Sequence, residues 1–232
     1  MPTVAIALIR PQAENTKPPR ALWVPFELGR PIGPPGDPAF QTRVVLAALG
    51  MLVEADGPTR ILDFPDDDPR SRPDPAWQSP PTTAPATGDS AAMVAHRFES
   101  EVLALKGAHD RWVARRRRST VGLSGLPIGE AARYAGDWLR GNPPPSPRDG
   151  ISPSLFLRYA VDDLKAYCLE AGGAGDVTPS SRQLSDWFWN NTATGAACYA
   201  LRDMLLSPEN ERSWQVVANF MVPAARLPRV TI

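Results

Sequence analysis

The chain has 232 residues, enough for two domains, and its 25 Lys and Arg balance 25 Asp and Glu, so no net field draws it toward nucleic acid or an anionic membrane. Two cysteines, Cys168 and Cys198, supply neither a zinc cluster nor a secreted disulfide framework. No apolar run approaches the roughly twenty residues of a spanning helix and the start MPTVAIALIR lacks a signal-peptide layout, so a cytoplasmic location is expected.

The 27 prolines are clustered, and clustered proline marks linkers. Residues 3–9, TVAIALI, form a short apolar run that suits a strand buried on both faces of a parallel sheet. Residues 21–26 resemble it, with turn-rich sequence between the two. The segment ELGRPIGPPGDP then places Gly29, Gly33, Gly36 and four prolines in a shaped loop. Asp37 stands where an N-cap belongs and Pro38 at the first helical position, so a helix is expected through about Glu54. Its stripe of Phe40, Val44, Ala47, Ala48 and Met51 is widened by Val45, Leu49 and Leu52, which implies cover on most sides. Residues 60–64 offer a third strand.

Residues 65–91 are too polar and proline-rich to bury much surface and read as a linker. Helices are expected beyond it at 91–118, 128–139, 153–171, 181–206 and 208–220, the first capped by Asp89 or Ser90 and the last announced by Ser207 and Pro208. The expected fold is therefore an α/β N-terminal portion at 1–64, an incomplete parallel sheet with one covering helix, then the linker at 65–91 and an all-α domain at 92–232.

His96 and His109 lie thirteen residues apart on one expected helix, about 220° apart in azimuth, and cannot share a site. His109 falls on an apolar stripe with Phe98, Val102, Leu105 and Trp112, as a packed, hydrogen-bonded histidine would. His96 beside Arg97 reads as solvated. Cys168 continues the stripe of Leu157, Val161 and Leu164, and Cys198 that of Leu184, Trp187 and Phe188, so both read as small core residues. The run Gly122, Leu123, Ser124, Gly125 misplaces the second glycine of a nucleophile elbow and has no strand before it. Asp66, Asp67 and Asp68 read as a solvated acidic turn, and no metal or cofactor is expected. The arginines at 115–118 read first as a solvated helix end and second as an anion patch.

The strongest binding candidate is the loop holding Arg30, Pro31, Gly33, Gly36 and Asp37. Its glycines let backbone approach a ligand, Arg30 suits a carboxylate, and the helix from Pro38 adds positive dipole. A rigid turn that only reverses the chain is an equal reading.

The stretches PTVAIALI and PPRALWVPFELGRPIGPPGDPAFQTRVVLAAL resemble the C-terminal part of the selenoprotein B subunit of the glycine, sarcosine, betaine and D-proline reductases, over about residues 2–54. The resemblance implies strand, strand with a proline and glycine loop, and helix, in that order. It also implies an oxidoreductase whose selenocysteine or cysteine centre lies in an N-terminal portion, attacks an amino-acid or related substrate and releases the amine. Because the family's redox motif precedes the segment matching 2–9, no residue here inherits the nucleophile. The resemblance puts Arg30, Pro31 and Gly33 in the family's loop, with arginine where that loop commonly carries histidine.

Two or three short buried strands and one apolar helix leave sheet edges that something must cover. The first expectation is thus a C-terminal subunit or truncated form of a thiol- or selenol-dependent reductase, in a hetero-oligomer with a companion chain carrying the Cys or Sec motif. No catalytic residue is expected within the chain itself, and self-association is a further way to cover the edge. The alternative is a non-enzymatic helical interaction subunit using Trp187, Trp189 and Trp214. Nucleic-acid binding through 115–118 is a third and weaker reading.

Overall fold

In the computed structural model, residues 2–53, 59–82 and 88–227 are described. The helix end expected near Glu54 and part of the proline-rich stretch, 83–87, lie outside them. The chain divides into two units, Met1–Pro73 and Asp74–Ile232, an α/β portion followed by an all-α one. The boundary falls inside the stretch read as linker, so residues 74–82 belong with the helices.

The first unit runs β1 (Ala5–Ala7), α1 (Arg10–Thr16), β2 (Arg20–Trp23), α2 (Pro38–Gly50) and β3 (Arg60–Asp63). Its strands form one parallel sheet in the order β1-β2-β3, with Ile6, Leu22 and Leu62 in register. Central β2 is buried at Ala21 and Leu22, but Ala5 is exposed and Ile6 and Ala7 are only half-buried. The expectation that residues 3–9 are buried on both faces therefore fails, because β1 is an edge. Helix α1 fills the connection read as turn-rich. Only its Ala13 is buried, so no apolar stripe announced it.

Asp37 caps α2 as expected, its Oδ1 accepting the Phe40 N–H at 2.9 Å. Leu22, Val24 and Phe26 meet Phe40, Val44, Ala48, Met51 and Phe64 in one core. Phe26, Phe40 and Phe64 stand 5.5 to 5.9 Å apart in tilted and edge-on pairs, the geometry aromatic quadrupoles favour. The other face of α2 is open: Val45, Leu46 and Leu49 are exposed, against the expected cover on most sides.

The second unit comprises α3 (Ala91–Ala104), α4 (Lys106–Arg116), α5 (Ile128–Leu139), α6 (Pro153–Gly172), α7 (Ser181–Asn191), α8 (Ala193–Leu205) and α9 (Arg212–Ala218). Helix α6 is the centre, packed against α4, α5, α7, α8 and α9. Two expected helices are each divided. The first turns at Leu105. The other breaks at Thr192, which is extended (φ −106°, ψ 144°) and whose hydroxyl caps α8 at Gly195 N–H, 2.9 Å away. Residues 207–210 form a turn closed by Asn210 N–H on Ser207 C=O at 3.0 Å, so the last helix begins at Arg212 instead of Pro208.

The α7–α8 corner is so tight that a Cβ on Gly195 would lie 2.2 Å from the Phe188 carbonyl oxygen. Gly129 in α5 has open space around it. Urea denaturation should therefore show Gly195→Ala losing about 1–3 kcal/mol through overpacking, and Gly129→Ala gaining up to about 1 kcal/mol of helix propensity.

Candidate functional site

The loop between β2 and α2 is a series of tight reversals. Arg30 N–H bonds Glu27 C=O at 3.1 Å, Gly33 N–H bonds Arg30 C=O at 3.0 Å, and Asp37 N–H bonds Pro34 C=O at 3.4 Å. Gly29, Gly33 and Gly36 take φ of 88°, 91° and 78°, a region other residues adopt only under strain. Gly33 is buried, and a Cβ there would lie 2.5 Å from Cε1 of Phe40, so this glycine serves packing as well as the turn. Asp37 is engaged as the α2 cap, while Pro31 and Gly36 are exposed.

Arg30 extends toward two carboxylates, Glu27 at 3.7 Å and the buried Asp68 at 3.6 Å. Both distances exceed a hydrogen bond, so the guanidinium is oriented without its fork being saturated. Because the strands are parallel, the loop after β2 and the turn after β3 share the carboxyl end of the sheet. Crevices at that end are where open α/β sheets take ligands. All five candidate residues lie in this loop. Beside it, an apolar groove of about 370 Å³ runs along edge strand β1, lined by Ala5, Ala7, Ile9, Gln12, Ala13 and Leu28.

In the acidic turn, Asp66 pairs with Arg43 at 2.5 Å and Asp68 faces Arg30. Among the described residues no cluster of His, Cys, Asp and Glu has metal-binding geometry.

The helical unit holds three buried carboxylates that the sequence reading did not single out. Asp163 on α6 accepts the N–H groups of Gly122, Leu123 and Ser124, each at 2.8 Å, and the Ser124 hydroxyl at 2.6 Å. Glu170, two turns further on the same face, accepts Thr120 N–H at 2.7 Å, Thr120 Oγ1 at 2.8 Å, Ser119 Oγ at 2.7 Å and His109 Nε2 at 2.9 Å. Glu101 on α3 accepts Ala193 N–H at 2.8 Å and Thr194 N–H at 2.9 Å, at the start of α8. A signal was present: Glu101 sits between Phe98, Val102 and Leu105 on an apolar stripe, where an unpaired charge would be costly.

These contacts give the Gly122–Leu123–Ser124 run its role. Its N–H groups form a nest around Asp163, and Ser124 is tied to that carboxylate and not to a base. Ser119, His109 and Glu170 share the residue types of a catalytic triad, but the carboxylate stands in the middle, bonded to both others. A triad needs histidine between serine and acid. His109 also lies against Tyr167, centroids 4.3 Å apart, as a packed histidine should.

Both thiols are buried. Burial raises the Cys168 pKa, only partly offset by its bond to Thr194 Oγ1, and burial pushes Cys198 up to about 11. Neither is a thiolate at neutral pH, so neither is poised as nucleophile. Of the arginine run, Arg115 caps α6 by donating to Gly173 and Gly175 carbonyls at 2.8 Å each, and Arg116 lies 4.9 Å from the Trp112 ring centroid. His96 is exposed. No helix among the described residues is long and apolar enough to cross a membrane.

Burial alone would raise the Glu170 pKa, but the donors from Thr120, Ser119 and His109 outweigh it and the net shift is downward. A carboxylate with a depressed folded pKa stabilises above its ordinary range near 4.5 and loses that contribution as pH falls through the folded value. Glu170→Gln should therefore lower Tm at pH 7 and narrow the Tm gap to wild type between pH 5 and pH 3, read by circular dichroism. No protein-family model, curated protein or solved structure matches the chain.

Proposed function

We propose that this chain is the C-terminal subunit, or a shortened form, of a thiol- or selenol-dependent reductase resembling the glycine, sarcosine and betaine reductase family. It acts in the cytoplasm with a companion chain that carries the redox centre. The observation that carries this reading is the open edge of β1 with its apolar groove. β1 pairs only with β2 among the described residues, and Ile9 (46 % exposed) and Leu28 (73 % exposed) are large apolar groups left in water. An uncovered parallel edge is a template for another strand. A companion strand set there extends the sheet and brings its own residues to the carboxyl end where Arg30 lies. Buried, protonated Cys168 and Cys198 support a nucleophile supplied from outside the chain.

In this arrangement Arg30, near Glu27 and Asp68, orients a substrate carboxylate while the companion's thiolate or selenolate attacks the carbon that bears the amine, a carbon–sulfur or carbon–selenium bond forming as the carbon–nitrogen bond breaks and the amine leaves with a proton. The competing reading, an interaction module built on Trp187, Trp189 and Trp214, loses ground because Trp189 and Trp214 pack against the helical core.

Coexpressed with a companion bearing a Cys or Sec motif, the chain should coelute with it in size-exclusion chromatography. Ile9→Asp with Leu28→Asp should abolish coelution and leave Tm unchanged within about 2 °C, since exposed sites contribute little to stability. Coelution that survives the double substitution, or a wild-type chain that stays monomeric beside the companion, contradicts the proposal.

A further inference from the structure

Independently of that reading, residues 74–82 (DPAWQSPPT) point to a peptide-binding groove in the helical unit. The segment has neither helix nor strand at 77–82, yet it is anchored on the helices at three places. Gln183 brackets Asp74, its Oε1 accepting Asp74 N–H at 2.9 Å and its Nε2 donating to Asp74 C=O at 2.8 Å. Trp77 donates its indole N–H to Gly172 C=O at 3.3 Å and meets Trp187 edge-on at 6.4 Å. Thr82 Oγ1 donates to Asn191 C=O at 2.9 Å.

Between these anchors the chemistry is that of a polyproline II ligand. Pro80 and Pro81 fix φ, and each disfavours the helical region for the residue before it. Trp77, Pro80 and Thr82 are half-buried while Gln78, Ser79 and Pro81 are exposed, so the segment lies half-sunk against the helices. The fit is incomplete. Cavities of about 550 Å³ and 350 Å³ flank the segment, one toward Gln183, Asp186 and Asn191 of α7, the other toward Gly107, Ala108 and Arg111 of α4. Both clefts open to solvent, so the segment fills only part of the groove it lies in. An aromatic anchor, a proline pair and hydrogen bonds mainly to main-chain carbonyls are how grooves read extended peptides.

We propose that this groove binds an extended peptide with a tryptophan anchor and a proline pair three residues on, and that residues 74–82 occupy it in cis, competing with the same sequence presented by a partner. Occupation in cis reduces apparent affinity by the fraction of time the groove is free.

The test is fluorescence anisotropy with a labelled DPAWQSPPT peptide against the full-length chain. Trp77→Ala, which releases the tethered anchor, should bind the peptide about tenfold more tightly than wild type, the gain that corresponds to about 90 % occupation in cis. Adding Gln183→Glu should weaken binding again: glutamate retains the acceptor that closes the α7 capping box with Ser180 but loses the amide donor to Asp74. Should Trp77→Ala unfold the helical unit, Pro80→Gly with Pro81→Gly keeps the anchor and loosens the segment, with a gain of about threefold expected. Equal affinity of wild type and whichever variant folds, or no binding by either, overturns the proposal. A wild-type dimer that forms at high concentration and is dissolved by the peptide supports it, the second copy then being the partner.

Discussion

Taking a carboxyl group out of water is costly unless its oxygens find donors, and the helical unit does so at Asp163 and again at Glu101, with Glu170 almost as deep. Asp163 and Glu170 accept from backbone N–H groups, hydroxyls and, at Glu170, His109, and Glu101 accepts from backbone N–H groups and the Thr194 hydroxyl. Asp163 and Glu170 lie on one face of α6 and draw residues 119–124 down onto it, which fixes the path from α4 to α5. Glu101 meets the buried N–H groups that have no intrahelical acceptor at the start of α8, where the helix dipole favours negative charge, and so sets the corner between α7 and α8. Val121 and Leu126 in the first connection and Phe188 and Ala193 at the second corner also pack on the helical core, so the carboxylates add main-chain anchoring to apolar packing.

The α/β unit solves a different problem. Its core is the phenylalanine trio with Leu22, Val24, Val44 and Met51, all on one side of a three-stranded sheet. The outer surface of α2 and the edge of β1 keep apolar side chains in water. A structural loop tightened by Gly33 and capped by Asp37 then leaves Arg30 at the carboxyl end of the sheet with two carboxylates near it. The open edge, the oriented cation and the two buried thiols are the observations behind the proposal of a companion chain.

Elements whose signals are local were legible in the sequence. Helix α5 is legible at its observed limits and α6 to within a residue, because prolines bracket their apolar stripes, and the start of α2 is legible from Asp37 and Pro38. The breaks at Leu105 and Thr192 were hidden because the apolar stripes run through them, and the second is set by Glu101, some ninety residues away in sequence. Helix α1 was missed for want of a stripe. The glycines of the loop were legible as turn formers, but the close approach of Gly33 to Phe40 and the convergence of Asp68 on Arg30 are tertiary facts. Trp77, a lone aromatic in a polar, proline-rich stretch, was the overlooked sign that residues 74–82 are seated and not merely connecting.

Alkylation of the folded protein with iodoacetamide at pH 7.5, with the products mapped by mass spectrometry, tests whether either thiol of this chain can act as a nucleophile. With both thiols buried and their pKa values raised, Cys168 and Cys198 should stay unmodified in the folded chain and react fully once it is unfolded. Rapid labelling of either cysteine while the helical signal in circular dichroism stays intact would contradict the account.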